Sequence, residues 1–160
     1  MIAGKGPVAL DGPPAAARPM VVFTRSFRAT KDTVRESLLA LTDRVRGHVG
    51  ADLMSRTELV LAELLNNVAQ HGRPRGMGAQ PLVHMSIVAQ PDGLACSVSD
   101  DGGLLPGVCL SPRAPDPATY PEGGFGWFLI DHLTQSLVYF RENDRNFVAF
   151  TVPVEQAEPH

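Results

Sequence analysis

The chain has 160 residues, 44% of them hydrophobic and 19% charged, with a formal net charge of -3. That balance fits one globular domain with a sizeable core, and its slight acidity argues against direct nucleic-acid binding, which requires a basic stripe. No apolar run reaches the length of a membrane helix, no signal core opens the chain, and two cysteines make neither a disulfide framework nor a zinc site, so a cytoplasmic protein without membrane contact is expected.

Residues 1–19 hold four prolines and three glycines and read as a flexible tail. The folded domain is expected over residues 20–154, with 155–160 as a C-terminal tail. Residues 20–28 mix β-branched and aromatic side chains with partial alternation, the pattern of a strand. Thr30 and Asp32 suit a helix cap, and Val34, Leu38, Leu41, Val45 and Val49 then recur at helical spacing until Gly47 to Gly50. A second helix is expected over residues 52–70, stopped by His71-Gly72-Arg73-Pro74. After a Gly/Pro-rich loop at 73–81, residues 82–89 and 94–99 read as strands joined at Pro91-Asp92-Gly93, where Asp-Gly signals a tight hairpin. Cys96 lies in that alternating run and is expected as a small core residue. Residues 101–124 contain five prolines and five glycines without periodicity, a length usual for functional or mobile loops. Helix returns over 125–133, and residues 136–141 and 147–154 predict a closing hairpin around 142–146. The order β-α-α-β-β-loop-α-β-β, without internal repeats, predicts an α+β fold. It is a two-layer α/β sandwich with a mostly antiparallel sheet and helices on one face.

Three segments carry chemistry. In the second helix Glu63, Asn67 and His71 are spaced four and four, which sets them on one face a turn apart. The adjoining face is apolar: Val60, Leu61, Leu64 and Val68. A carboxylate and an amide at such a border are costly to desolvate without a partner, and a hydrated divalent ion with a phosphate would be a suitable one. The plain alternative is an ordinary amphipathic helix border. Asp100-Asp101-Gly102-Gly103 follows a strand. There a carboxylate can accept from an exocyclic amine while glycines let the backbone approach a ring; taken alone, the plainer reading is a simple turn, since Asp and Gly are turn residues. Gly123-Gly124-Phe125-Gly126 opens a helix, exposing N–H groups where the helix dipole favours an anion. It is not a Walker-type loop, since no Gly-Lys-Ser/Thr follows, nor a Rossmann fingerprint, since no strand immediately precedes it.

In this order the segments resemble the GHKL-type ATP-binding domain (Bergerat fold) shared by gyrase, Hsp90, histidine kinases and MutL. Within it, the chain looks like the compact anti-sigma factor serine/threonine kinases of bacterial partner-switching systems. The resemblance covers most of residues 20–154 and implies ATP and Mg²⁺ as cofactors. Glu63, Asn67 and His71 match the family's first motif without gaps. By resemblance, Glu63 would be the general base that takes the proton from a substrate serine, and Asn67 would coordinate Mg²⁺ through its side-chain oxygen. Asp100 matches the aspartate that bonds the adenine amine, and Gly102 the first glycine after it. Gly124, Phe125 and Gly126 fall in the lid motif that wraps the phosphates, with residues 104–122 as the lid. Implied partners are a sigma factor and a STAS-domain anti-sigma antagonist carrying the substrate serine. Arg35, early in the first helix, stands where family members often contact them; a solvated helix arginine is the alternative. Family members are commonly dimers, although no feature of the sequence requires a homodimer here. Phe125, Trp127 and Phe128 are expected in the core and not at an interface; a place near the nucleotide is the alternative for Trp127. His48, His84, His132 and His160 show no ligand spacing.

The chain departs from the family pattern in three places. Leu104 replaces the second glycine of the aspartate motif, with Gly103 one residue earlier. Glu122 stands where a basic residue often precedes the lid glycines, and Asn146-Phe147 replaces a late Gly-Thr. Two readings follow: a kinase that also sequesters a sigma factor, or a degenerate, weakly or non-catalytic member acting by protein contact alone. The ATP-binding half of a histidine kinase is a third, disfavoured because no dimerisation helices with a phospho-accepting histidine are expected before it.

Overall fold

The computed structural model describes residues 20–71, 78–103 and 125–154. Strand β1 (Val22–Arg28) buries Phe23 and Phe27 against the helices and exposes Val22 and Thr24 on the other side, as the period of two requires. Thr30 then turns the chain from strand to helix. Its hydroxyl accepts from the Thr33 N–H at 3.1 Å, and the Thr33 hydroxyl accepts from the Thr30 N–H at 2.8 Å. This reciprocal capping box satisfies two donors at the start of helix α1 (Lys31–Val45). Gly47, at φ +84°, helps the chain reverse into α2 (Ala51–His71). Leu53, Met54, Thr57, Val60, Leu61, Leu64, Leu65 and Val68 form its buried stripe, at steps of three and four.

The remaining elements are β2 (Leu82–Gln90), β3 (Gly93–Asp100), α3 (Phe125–Leu133), β4 (Gln135–Glu142) and β5 (Arg145–Pro153). The sheet runs β1-β2-β3-β5-β4, and every neighbouring pair is antiparallel. Helix α2 is the central helix: it packs on α1, α3, β3 and β5. Beneath the helices lie Val83, Met85, Ile87, Cys96, Val98, Val148 and Phe150. The result is the expected two-layer α+β sandwich. The other face of the sheet is open, and Thr24, Ser86, Ser97, Phe140, Phe147 and Ala149 line a shallow groove of about 670 Å³ there. Leu61, Leu64 and Leu65 are fully buried, so each Leu→Ala change in this helix should cost about 2–5 kcal/mol. Arg56 pins the first half of α2 to the end of β5, donating to the Pro153 and Val154 carbonyls at 2.7 and 2.9 Å. Burial pushes the Cys96 thiol up to about 12, which makes it an inert core residue.

Two hairpins differ in detail from the sequence expectation. Gln90 pairs with Gly93, so Pro91 and Asp92 form the two-residue loop and Asp-Gly is not its centre. Gly93 is required for another reason. It has φ +155°, and a Cβ there would strike the Val152 carbonyl oxygen of β5. The second hairpin is tighter than expected, because Glu142 pairs with Arg145. Asn143 and Asp144 both have positive φ, 52° and 61°, the primed geometry that matches strand twist. The expected tails at 1–19 and 155–160, Cys109, and the loop from Leu104 to Gly124 lie outside the described residues.

Candidate functional site

Helix α2 carries Glu63, Asn67 and His71 on one continuous helix, as their spacing requires. Glu63 and Asn67 are half-buried at the edge of the apolar stripe, while His71 is the last helical residue and exposed. The Asn67 Nδ2 is buried and has no hydrogen-bond partner among the described residues. Such an atom costs the fold its desolvation unless a ligand supplies an acceptor. Glu63 likewise makes no ion pair or hydrogen bond among the described residues.

Asp100, the last residue of β3, is 2% exposed. The antiparallel register sets Asp100 opposite Asn146 of β5, and Asn146 opposite Arg141 of β4. Directly opposed side chains on one face stand about 5 Å apart at Cβ, so this row brings three polar groups into bonding range. Asp100 Oδ1 accepts from the Gly102 N–H at 2.8 Å and from Asn146 Nδ2 at 3.0 Å. Asn146 Nδ2 also donates to the Gly103 carbonyl at 2.9 Å. The Asn146 Oδ1 accepts from the Tyr139 hydroxyl at 2.7 Å and from Arg141 Nη1 at 3.0 Å, and Arg141 Nη1 reaches the Gly102 carbonyl at 2.9 Å. Asp101 ties the same turn to β2 by accepting from the Leu82 N–H at 2.7 Å.

The carboxyl of Asp100 is held above its ordinary range, chiefly because burial disfavours its charge. The bonds from Asn146 and Gly102 and the charge of Arg141 pull it down, and Asp101 pushes it up. Its second oxygen accepts from none of the described residues. An amine donor would complete it.

The structure thus brings Glu63, Asn67, Asp100 and Gly102 to the helix-covered side of the sheet, where α2 packs on β3 and β5. Phe125 and Gly126 are the first residues of α3, so this glycine segment does open a helix, one that packs on α2. Gly124 and the side chains of Phe125, Gly126 and Trp127 lie outside the described residues. Phe128 is half-buried and stacks on His132, with centroids 6.1 Å apart. Arg35 is exposed on α1, beside the buried Val34 and Leu38. With Lys31, Leu39, Glu58 and Asn66 it lines a groove of about 430 Å³ between α1 and α2.

Sequence reasoning missed Asn146, Tyr139 and Arg141. One signal was present: Asn146 shares the alternation of Val148, Phe150 and Val152, which places an amide on the buried face.

A magnesium nucleotide fits these donors. The unpartnered Asn67 Nδ2 can donate to a phosphate oxygen, the amide oxygen beside it is a ligand type that Mg²⁺ takes, and Asp100 has a carboxylate oxygen that accepts from none of the described residues. Among the described residues no three His, Cys, Asp or Glu side chains cluster as a metal site, so phosphate oxygens would have to supply further ligands.

A protein-family model described as a histidine kinase-like ATPase domain matches residues 27–152. No curated protein matches the chain. The matched span begins at the end of β1 and closes within β5, taking in the α2 motif, the Asp100 corner and the glycines that open α3. The chain therefore belongs to the histidine kinase-like ATPase family.

Proposed function

We propose that this ATPase-family protein is an anti-sigma factor and an ATP-dependent serine kinase. It would sequester a sigma factor and phosphorylate the serine of a STAS-domain antagonist. One observation carries the reading. Glu63 is a half-buried carboxylate with no partner among the described residues, one helical turn from an amide whose nitrogen is also unpartnered. A carboxylate left unneutralised beside a phosphate-binding face is suited to accept the proton of an incoming hydroxyl. Phosphoryl transfer otherwise demands positioning and charge neutralisation. Asp100 would hold the base through its amine, and Asn67 would hold Mg²⁺, which neutralises phosphate charge when bound. The groove beside Arg35 supports a protein substrate, because it combines two cations with apolar Leu39 and shares helix α2 with Glu63.

The degenerate reading rested partly on Asn146-Phe147. That support weakens, because Asn146 makes two bonds to the Asp100 turn instead of leaving a gap. The experiment is transfer of γ-labelled phosphate from ATP to a STAS-domain antagonist. Label on its serine with wild type and none with Glu63→Ala is the expected result. No label with wild type, alongside firm sigma-factor binding, would favour the degenerate reading.

A further inference from the structure

Asn146 is fully buried, and its amide has two donor hydrogens and an oxygen with two lone pairs. All four positions are used. The hydrogens go to Asp100 Oδ1 and the Gly103 carbonyl, and the oxygen takes the Tyr139 hydroxyl and Arg141. Exchanging oxygen and nitrogen would set the amide hydrogens against Arg141, which can only donate, so the network fixes the amide's orientation. The fixed amide in turn fixes Asp100. With one oxygen occupied by Asn146 and the Gly102 N–H, a partial rotation would break two bonds and a half-turn only exchanges equivalent oxygens, so one oxygen is always left to meet a ligand.

We propose that Asn146, braced by Tyr139 and Arg141, is a positioning residue for nucleobase recognition in this protein. It aims a single Asp100 oxygen at the exocyclic amine of the base. By holding the Gly103 carbonyl from β5, it also anchors a turn whose next residue, Leu104, is not glycine. This rests on the reading of Asp100 as the acceptor of the base amine. The physical consequence is discrimination. An amine donates to the aimed oxygen, whereas a keto oxygen in the same place faces a carboxylate that cannot turn away.

The test is calorimetric titration of the full chain with Mg-ADP and with Mg-GDP. Wild type should prefer ADP. Asn146→Ala should weaken ADP binding by about tenfold or more while GDP changes by about twofold or less, so the preference collapses. Tyr139→Phe should move the ratio the same way by a smaller factor of about two to three. A purely structural role would lower both affinities together. An unchanged ADP-to-GDP ratio in both variants therefore overturns the role of Asn146, however far Tm falls. If Asn146→Ala fails to fold, the ratio in Tyr139→Phe decides alone. A wild type that binds neither nucleotide, or binds them equally, removes the reading of Asp100 itself and the proposal with it.

Discussion

At the Asp100 corner, every hydrogen-bonding position of Asn146 and one oxygen of Asp100 are bonded within the protein. On α2, the Asn67 nitrogen is buried without a partner and Glu63 is unpaired among the described residues. The first region is ordered before any ligand arrives, so its entropy is spent on folding and not on binding. The second holds groups unsatisfied among the described residues, which under the proposed function would gain their partners from what the protein binds. Recognition of the base would thus be built in, while the α2 face would wait for phosphate, metal and a substrate hydroxyl.

The largest effect should come from the unpaired side of this contrast. Glu63→Ala should cut phosphotransfer to the antagonist about 10²- to 10⁴-fold with nucleotide affinity nearly unchanged. Wild-type transfer of label by this variant would show that α2 does not supply the base.

At the ordered corner, Asp100→Asn should weaken Mg-ADP binding about 10- to 100-fold in calorimetry, through loss of a charge-assisted bond. It should not weaken the ligand-free fold. Burial holds the Asp100 carboxyl up, so the folded state binds this proton more readily than the unfolded chain. Its favourable contribution is full below the unfolded value of about 3.9 and is lost as pH rises through the folded value. At neutral pH the ionised group therefore costs stability, and Asp100→Asn should melt at or above wild type, with the gap closing as pH falls through the folded value of the raised carboxyl. A variant that melts lower yet binds ADP normally would make Asp100 structural.

Stability separates the two asparagines. Asn146→Ala removes one hydrogen bond each from Asp100, Arg141 and Tyr139 and one from the Gly103 carbonyl, and should cost about 2–4 kcal/mol in denaturant unfolding. Asn67→Ala deletes an unsatisfied donor and should change ligand-free stability by less than about 1 kcal/mol. Equal losses would erase the contrast between the regions. The smallest effect is on metal linkage. The ratio of ADP affinities with and without Mg²⁺ should shrink in Asn67→Ala, and an unchanged ratio would reject Asn67 as a ligand.

The local parts of this architecture were legible in the sequence. Glu63, Asn67 and His71 needed only helical spacing, and the helices and strands fell within a few residues of their expected bounds. What escaped depended on strand register. Asn146 stands 46 residues from Asp100, and only the β3–β5 pairing makes them neighbours, so the late Asn-Phe pair read as a loss. Gly93 likewise reads as a turn residue in the sequence, although its constraint comes from Val152 on a distant strand.

The saturation of Asn146 bears on how this position can drift. Aspartate there would set a second carboxylate against Asp100, and leucine would take a hydrogen bond each from Asp100, Arg141 and Tyr139. Threonine has one hydroxyl hydrogen for the two acceptors that the amide now serves. Residues 139, 141 and 146 should therefore change as a set: a lineage exchanging Asn146-Phe147 for Gly-Thr would have to replace Tyr139 and Arg141 along with it. In a deep mutational scan, single substitutions at 146 should be depleted, whereas paired changes at 141 and 146 should recover part of the loss.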